Sequence, residues 1–117
     1  MKLTKTQRQT VFHKFCGKCA YCGSDLQKGW HVDHIEPLVR LYGGSVMNPQ
    51  NESVENLNPS CASCNIQKNS YTLEQFRNNI KQFVESLNKY NTQYKFAKRY
   101  GLVSENPIEV KFYFETL

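Results

Sequence analysis

This sequence of 117 residues is short of apolar continuity and, over two long stretches, has no acid at all. No run is apolar for long enough to span a membrane, and the opening MKLTKTQRQTVFHKF lacks the apolar segment of a secretory signal. The expectation is an intracellular chain with no membrane partner, in a compartment where thiols stay reduced. Residues 1–24 hold Lys2, Lys5, Arg8, Lys14 and Lys18 without one Asp or Glu. Residues 86–104 repeat the pattern with Lys89, Lys95, Lys98 and Arg99, interleaved with Tyr90, Tyr94, Phe96 and Tyr100. A net charge of +5 and a pI near 9.0 point to an anionic partner without naming it. The hydrophobic fraction, 39%, is low for a globular chain, so something besides apolar burial is expected to hold the fold. There are no repeats and no low-complexity segments, and the length suits one domain, residues 1–117.

Cysteine, by contrast, is plentiful. Cys19-Ala-Tyr-Cys22 and Cys61-Ala-Ser-Cys64 are two C-x-x-C pairs, and each can offer two thiolates from a tight turn. In a reduced compartment two such pairs read as one closed tetrahedral Zn²⁺ site and not as disulfides or a redox pair. Cys16-Gly-Lys-Cys19 has the same spacing, so one of Cys16, Cys19 and Cys22 is left over. Gly23, directly after Cys22, suits the knuckle turn and favours Cys16 as the spare. Such a clip would close a loop around Asp33-His34 and pin the start of a helix carrying Asn65.

The periodicity around the clip predicts an α+β fold. A first helix, capped by Thr4 or Thr6, runs to about Phe15, and a short strand covers residues 30–35. Residues 42–59 read as a loop of turn formers. A helix starts near Cys61 or Ala62, and a long one spans residues 72–90 behind a Thr72/Gln75 capping box. The stripe Leu73, Phe76, Ile80, Phe83, Val84 and Leu87 on that long helix is expected to be core. Alternation of Ile108, Val110, Phe112 and Phe114 predicts a half-buried C-terminal strand. Within this frame His34 suits a general base, since imidazole titrates near neutrality. Asp33 and Asn65 are hard oxygen donors of the kind Mg²⁺ takes beside water and phosphate.

The string CAYCG…VDHIEPL…GG…ENLNPSCASCNIQKNS resembles the HNH endonuclease family over residues 19–70, leaving residues 71–117 as an extension. The resemblance implies a ββα-metal core stapled by a structural Cys₄ zinc at Cys19, Cys22, Cys61 and Cys64, with Cys16 outside it. It implies His34 as general base, Asp33 and Asn65 as ligands of one catalytic Mg²⁺ or Mn²⁺, and Asn56 as the residue that braces the hairpin and orients His34. Asn65 stands where many members have His, which favours harder metals. Lys68 matches a common basic position and is expected at a phosphate, as are Arg40, Lys95, Lys98 and Arg99. Asn69, one turn past Asn65, is a further candidate for the metal, whereas His31 and Trp30 read as structural.

The implied activity is metal-dependent hydrolysis of DNA phosphodiester bonds, leaving 5′-phosphate and 3′-hydroxyl ends, in a bacterial or phage context. Two other classes compete with it. A non-catalytic zinc-ribbon-like DNA-binding module would share the clip and the charge but leaves Asp33, His34, Asn56 and Asn65 unexplained. An interaction protein built on the same scaffold would leave them unexplained as well.

Overall fold

The structure, a computed structural model, describes residues 3–38 and 41–117. Helix α1 (Lys5–His13) opens on a reciprocal cap in which Thr4 Oγ1 accepts from Gln7 N at 3.1 Å and Gln7 Oε1 accepts from Thr4 N at 2.9 Å. It stops short of Phe15 because Cys16 and Gly17 take φ values of 55° and 79°, which an α-helix cannot continue through. Arg8 lies 4.1 Å over the Trp30 ring and donates to Trp30 O, which docks α1 beside the first strand.

Strand β1 (His31–His34) pairs antiparallel with β2 (Leu57–Ser60), His31 opposite Ser60 and His34 opposite Leu57. The expectation of a loop over residues 42–59 therefore fails at its end. Asn58, Pro59 and Ser60 are turn formers by type, yet all of β2 is buried and its polar groups are largely matched. Pro59, which has no N–H, accepts from Ala20 N at 2.9 Å, outside the β1–β2 ladder. Lys14, just past α1, donates to Leu57 O and Asn58 Oδ1.

Helix α2 (Ala62–Lys68) follows, then α3 (Leu73–Tyr90) behind the expected Thr72/Gln75 cap. One residue on, α4 (Thr92–Arg99) is capped by Asn91, whose Oδ1 accepts from Tyr94 N. The core is small and aromatic. Phe76 stacks on Phe112 at 5.1 Å, and Tyr21 meets both rings edge-on at 5.7 and 5.5 Å. Cys19 and Ala20 complete the cluster.

Two expectations are corrected here. The α3 stripe is core only in its first half: Phe76 is buried and Leu73 and Ile80 pack at the edge, but Phe83 and Val84 are 44% and 42% exposed. Among the described residues, nothing returns to cover the distal turns fully. The C-terminal strand is absent as well. Residues 102–112 run without a strand partner, Ile108 is 80% exposed, and the chain ends in a 3₁₀ turn, Tyr113–Thr116. Tyr113 N and Phe114 N donate to Tyr21 O and Ala20 O, which seats the tail on the knuckle. Arg77 secures that tail by donating to Val110 O and Glu115 and lying over Phe112.

Phe76→Ala should cost about 3–5 kcal/mol in urea denaturation, and Phe83→Ala less than about 1 kcal/mol, because only the first ring is enclosed. Equal losses would place the distal stripe back in the core.

Candidate functional site

The two C-x-x-C pairs converge. The sulfur atoms of Cys19, Cys22, Cys61 and Cys64 all lie within 4.8 Å of one another, with Cys22 and Cys61 3.9 Å apart. A tetrahedron with Zn–S bonds of about 2.3 Å has edges of about 3.8 Å, so the donor set fits a closed four-sulfur metal site. The knuckle is shaped by Gly23 at φ 77°, where a Cβ would sit 2.9 Å from the Tyr113 ring. Gly23 N returns to Cys19 O, and Cys19 N donates to Ser24 O. Backbone N–H groups of Cys61 and Cys64 point at Cys19 Sγ and Cys61 Sγ. The Cys64 thiol, with backbone N–H groups that include that of Cys61, draws the Cys19 thiol well below its usual range, and burial pushes Cys61 up. Cys16 is exposed and outside the cluster.

Beside the clip lies a cleft of about 240 Å³ lined by Val32, Asp33, His34, Pro37, Leu38, Asn65, Asn69 and Ser70. Three of the expected residues, Asp33, His34 and Asn65, thus meet, with Asn69 among them. Strand alternation turns Asp33 inward, where it is 7% exposed. Its Oδ2 accepts from the Tyr21 hydroxyl and from Lys68 Nζ at 3.1 Å. Lys68 is wholly buried, and its ammonium also donates to His34 O at 2.7 Å. Expected at a phosphate, Lys68 is instead an internal cation that grips the Asp33 side chain and the His34 backbone together. Burial first, then the Asp33 carboxylate, raises the Tyr21 hydroxyl far above its usual range, so it remains a donor. Asp33 Oδ1 and the Asn65 amide make no hydrogen bond among the described residues, which leaves two hard oxygens for a cation.

The chain bends directly after His34, and Asn56 holds the bend. Asn56 O accepts from Ile35 N at 2.8 Å, its Oδ1 accepts from Glu36 N, and its Nδ2 donates to Glu36 O and Asn51 O. The middle Asn is therefore a clamp on the residues that follow His34. The His34 ring is partly exposed, and its Nε2 lies 3.2 Å from Glu52 Oε1. Glu52 sits in a segment of turn formers, where nothing in the sequence marked it. Nothing in the sequence marks Tyr21, between Cys19 and Cys22, either.

The remaining expected residues lie elsewhere. Arg40 falls outside the described residues. Lys95, Lys98 and Arg99 are on α4 and do not line the cleft. His31 is exposed, and Trp30 packs between Arg8 and Phe12. A larger hollow of about 530 Å³ opens by Ser24, Asp25, Gln27, Lys28, Trp30, Cys61 and Ala62. It is lined by no histidine, and its one carboxylate, Asp25, is paired with Lys18, so the smaller cleft is the candidate site.

Residues 19–71, a little under half of the chain, match the model of a protein family described as HNH endonuclease. No curated protein and no solved structure matches the chain.

Lys68→Ala should lower stability by about 3–5 kcal/mol in urea denaturation, because it strands a buried carboxylate. The Asp33→Asn/Lys68→Met pair should recover most of that loss. A mild single substitution would mean that the ammonium is not needed inside.

Proposed function

We propose, from the premise that residues 19–71 are an HNH domain, that the protein is a metal-dependent DNA endonuclease. The domain itself indicates a nuclease or nucleic-acid-binding function. The observation that supports hydrolysis is the shared cleft, where one imidazole and two unengaged oxygen donors meet. Asp33 Oδ1 and the Asn65 amide oxygen would hold one Mg²⁺ or Mn²⁺, both being hard donors in a small polar site. Bound there, the ion supplies charge stabilisation for the phosphoryl group and its leaving oxygen.

The residues divide the remaining work. Glu52 accepts from His34 Nε2–H, so Nδ1 is the ring nitrogen left to take a proton from the attacking water. Lys68 fixes the His34 carbonyl, and Asn56 fixes the backbone that follows it. Lys68 and Tyr21 occupy one carboxylate oxygen of Asp33 and orient the other. Lys95 and Arg99 are proposed as nucleic-acid contacts away from the cut, whereas Lys98, expected beside them, is engaged by Glu105 and Asn88. Cys19, Cys22, Cys61 and Cys64 would hold Zn²⁺ as a structural ion that ties the two halves of the site together.

Nicking of supercoiled plasmid with Mg²⁺ or Mn²⁺ tests this reading. The natural protein should nick, and His34→Ala should lose at least about 100-fold in rate. Glu52→Ala should lose about ten- to 100-fold in kcat with KM little changed, and Glu52→Gln, whose amide oxygen still accepts from Nε2–H, should retain most of it. No metal-dependent nicking by the folded protein, with salt-sensitive binding retained, would favour a zinc-containing binding module.

The metal content is open to direct measurement. Native mass spectrometry should find one Zn²⁺ per chain, lost in Cys64→Ser and retained in Cys16→Ser. Zinc retained in the first variant, or lost in the second, would change the ligand set.

A further inference from the structure

Helix α3 is rooted at the cleft and leaves it. Asn69 and Ser70 line the cleft, and α3 begins three residues later at Leu73. Phe76, in its first turn, is the only buried residue of the helix, and its 18 residues carry the chain about 27 Å outward. The radius of gyration is 17.1 Å, against about 13 Å for a compact chain of this length, and the molecule extends 52 × 35 × 24 Å. The distal part of α3 with α4 is an arm standing off the core.

The tip of the arm is built and not frayed. Glu105 Oε2 accepts from Asn88 Nδ2 at 2.7 Å, from the Tyr94 hydroxyl at 2.6 Å and lies 3.1 Å from Lys98 Nζ. Lys98 Nζ also donates to Asn88 Oδ1. This latch seats α4 against the far end of α3 and turns other side chains outward. Phe96 and Tyr100, 47% and 77% exposed, lie nearly parallel, 16° apart in plane with centroids 6.4 Å apart. The Arg99 guanidinium sits 4.8 Å over Phe96, and Lys89 Nζ lies 5.3 Å from the equally open Tyr90 ring. Residues 78–105 contain Lys81, Lys89, Lys95, Lys98 and Arg99 against only Glu85 and Glu105, more than half of the chain's net +5. Among the described residues, Lys89, Lys95 and Arg99 form no ion pair with a carboxylate. Exposed aromatic rings beside uncompensated cations are the chemistry that binds an unpaired nucleic-acid strand. A second copy fits worse, because it would bring two such cationic tips together.

We infer that the α3–α4 arm is a second nucleic-acid contact, in which the strand cut at the cleft runs out along α3 and its unpaired flanking nucleotides stack on Phe96 and Tyr100. The inference rests on the cleft being where nucleic acid is cut. A reach of about 27 Å corresponds to about eight nucleotides at 3.4 Å each, so very short substrates would miss the tip. Lys89, Lys95 and Arg99 then meet phosphates, and the rings meet bases.

The test is fluorescence anisotropy with labelled single-stranded DNA of six and twenty nucleotides and a duplex of twenty, using full-length His34→Ala so that nothing is cut. The twenty-nucleotide strand should bind at least about tenfold tighter than the six-nucleotide one. Adding Arg99→Gln and Tyr100→Ser, both exposed, should remove about tenfold for the long strand and leave the short one unchanged. Lys89→Gln, alone, should reduce the salt dependence of long-strand binding by about one ion. Unaltered length dependence in the arm variant, or equal loss on both lengths, overturns the inference. So does an arm-dependent gain confined to the duplex, or sedimentation showing a dimer that the arm substitutions dissolve. Failure of plasmid nicking with this length dependence intact would remove the nuclease reading and keep the arm as a binding element.

Discussion

The constraint on which the rest of this molecule depends is the convergence of four sulfur atoms from two distant turns. It brings residues 19–22 against residues 61–64, and several longer-range contacts start from one of those turns. Ala20 N caps the carbonyl of Pro59 and so continues the order of the knuckle into β2. Cys61 is at once a clip residue and the N-cap of α2. Tyr21, between two of the cysteines, takes the C-terminal tail on its backbone and the rings of Phe76 and Phe112 on its own. With only seven buried hydrophobic residues among those described, apolar burial alone is a weak hold for a chain of this length, and a metal held by the four sulfurs would offset that weakness.

The clip and the cleft are coupled through two donors. Tyr21 reaches Asp33 from the knuckle, and Lys68 reaches it from the last turn of the helix that Cys61 starts. An isolated buried ion pair is a poor source of stability, since desolvation consumes most of the Coulombic gain. Its value here is geometric. One oxygen of Asp33 is held twice, and the same ammonium holds the His34 carbonyl, so the dipeptide is fixed with respect to α2 and Asn65. Asn58, opposite Asp33 in the sheet, shows what this polar interior costs, for its Nδ2 is buried and makes no hydrogen bond of good geometry among the described residues.

What could be read in advance follows from how local each signal is. The caps at Thr4 and Thr72 announce α1 and α3 within a single turn, and the paired cysteines announce the clip through fixed spacing. The grouping of Asp33, His34 and Asn65 was legible only as a resemblance, because no periodicity links a strand end to a helix 31 residues later. Strand β2 was hidden since Asn58, Pro59 and Ser60 are turn formers, and their strand geometry comes from Ala20, Lys14 and β1. The C-terminal alternation misled for the opposite reason. Its pattern suits a strand, but among the described residues the backbone it pairs with is the carbonyls of Ala20 and Tyr21, enough for two hydrogen bonds. Glu52 and the inward turn of Lys68 are purely tertiary, and no local feature separates an internal lysine from a surface one.

The same reasoning explains the distal half of α3. Amphipathic periodicity states that one face of a helix avoids water, and it leaves open what covers that face. Up to Ile80 the cover is the aromatic cluster under the knuckle; beyond it α4 supplies part of the cover and solvent meets the rest. A helix that served only to complete the core would have ended once that cluster was covered. Instead the chain adds three more turns, a one-residue link and a latch on Glu105 that holds α4 in one orientation. The core orients groups around a small cleft, and the arm orients cations and rings at a distance from it. Both use a few specific polar bonds where apolar burial is scarce.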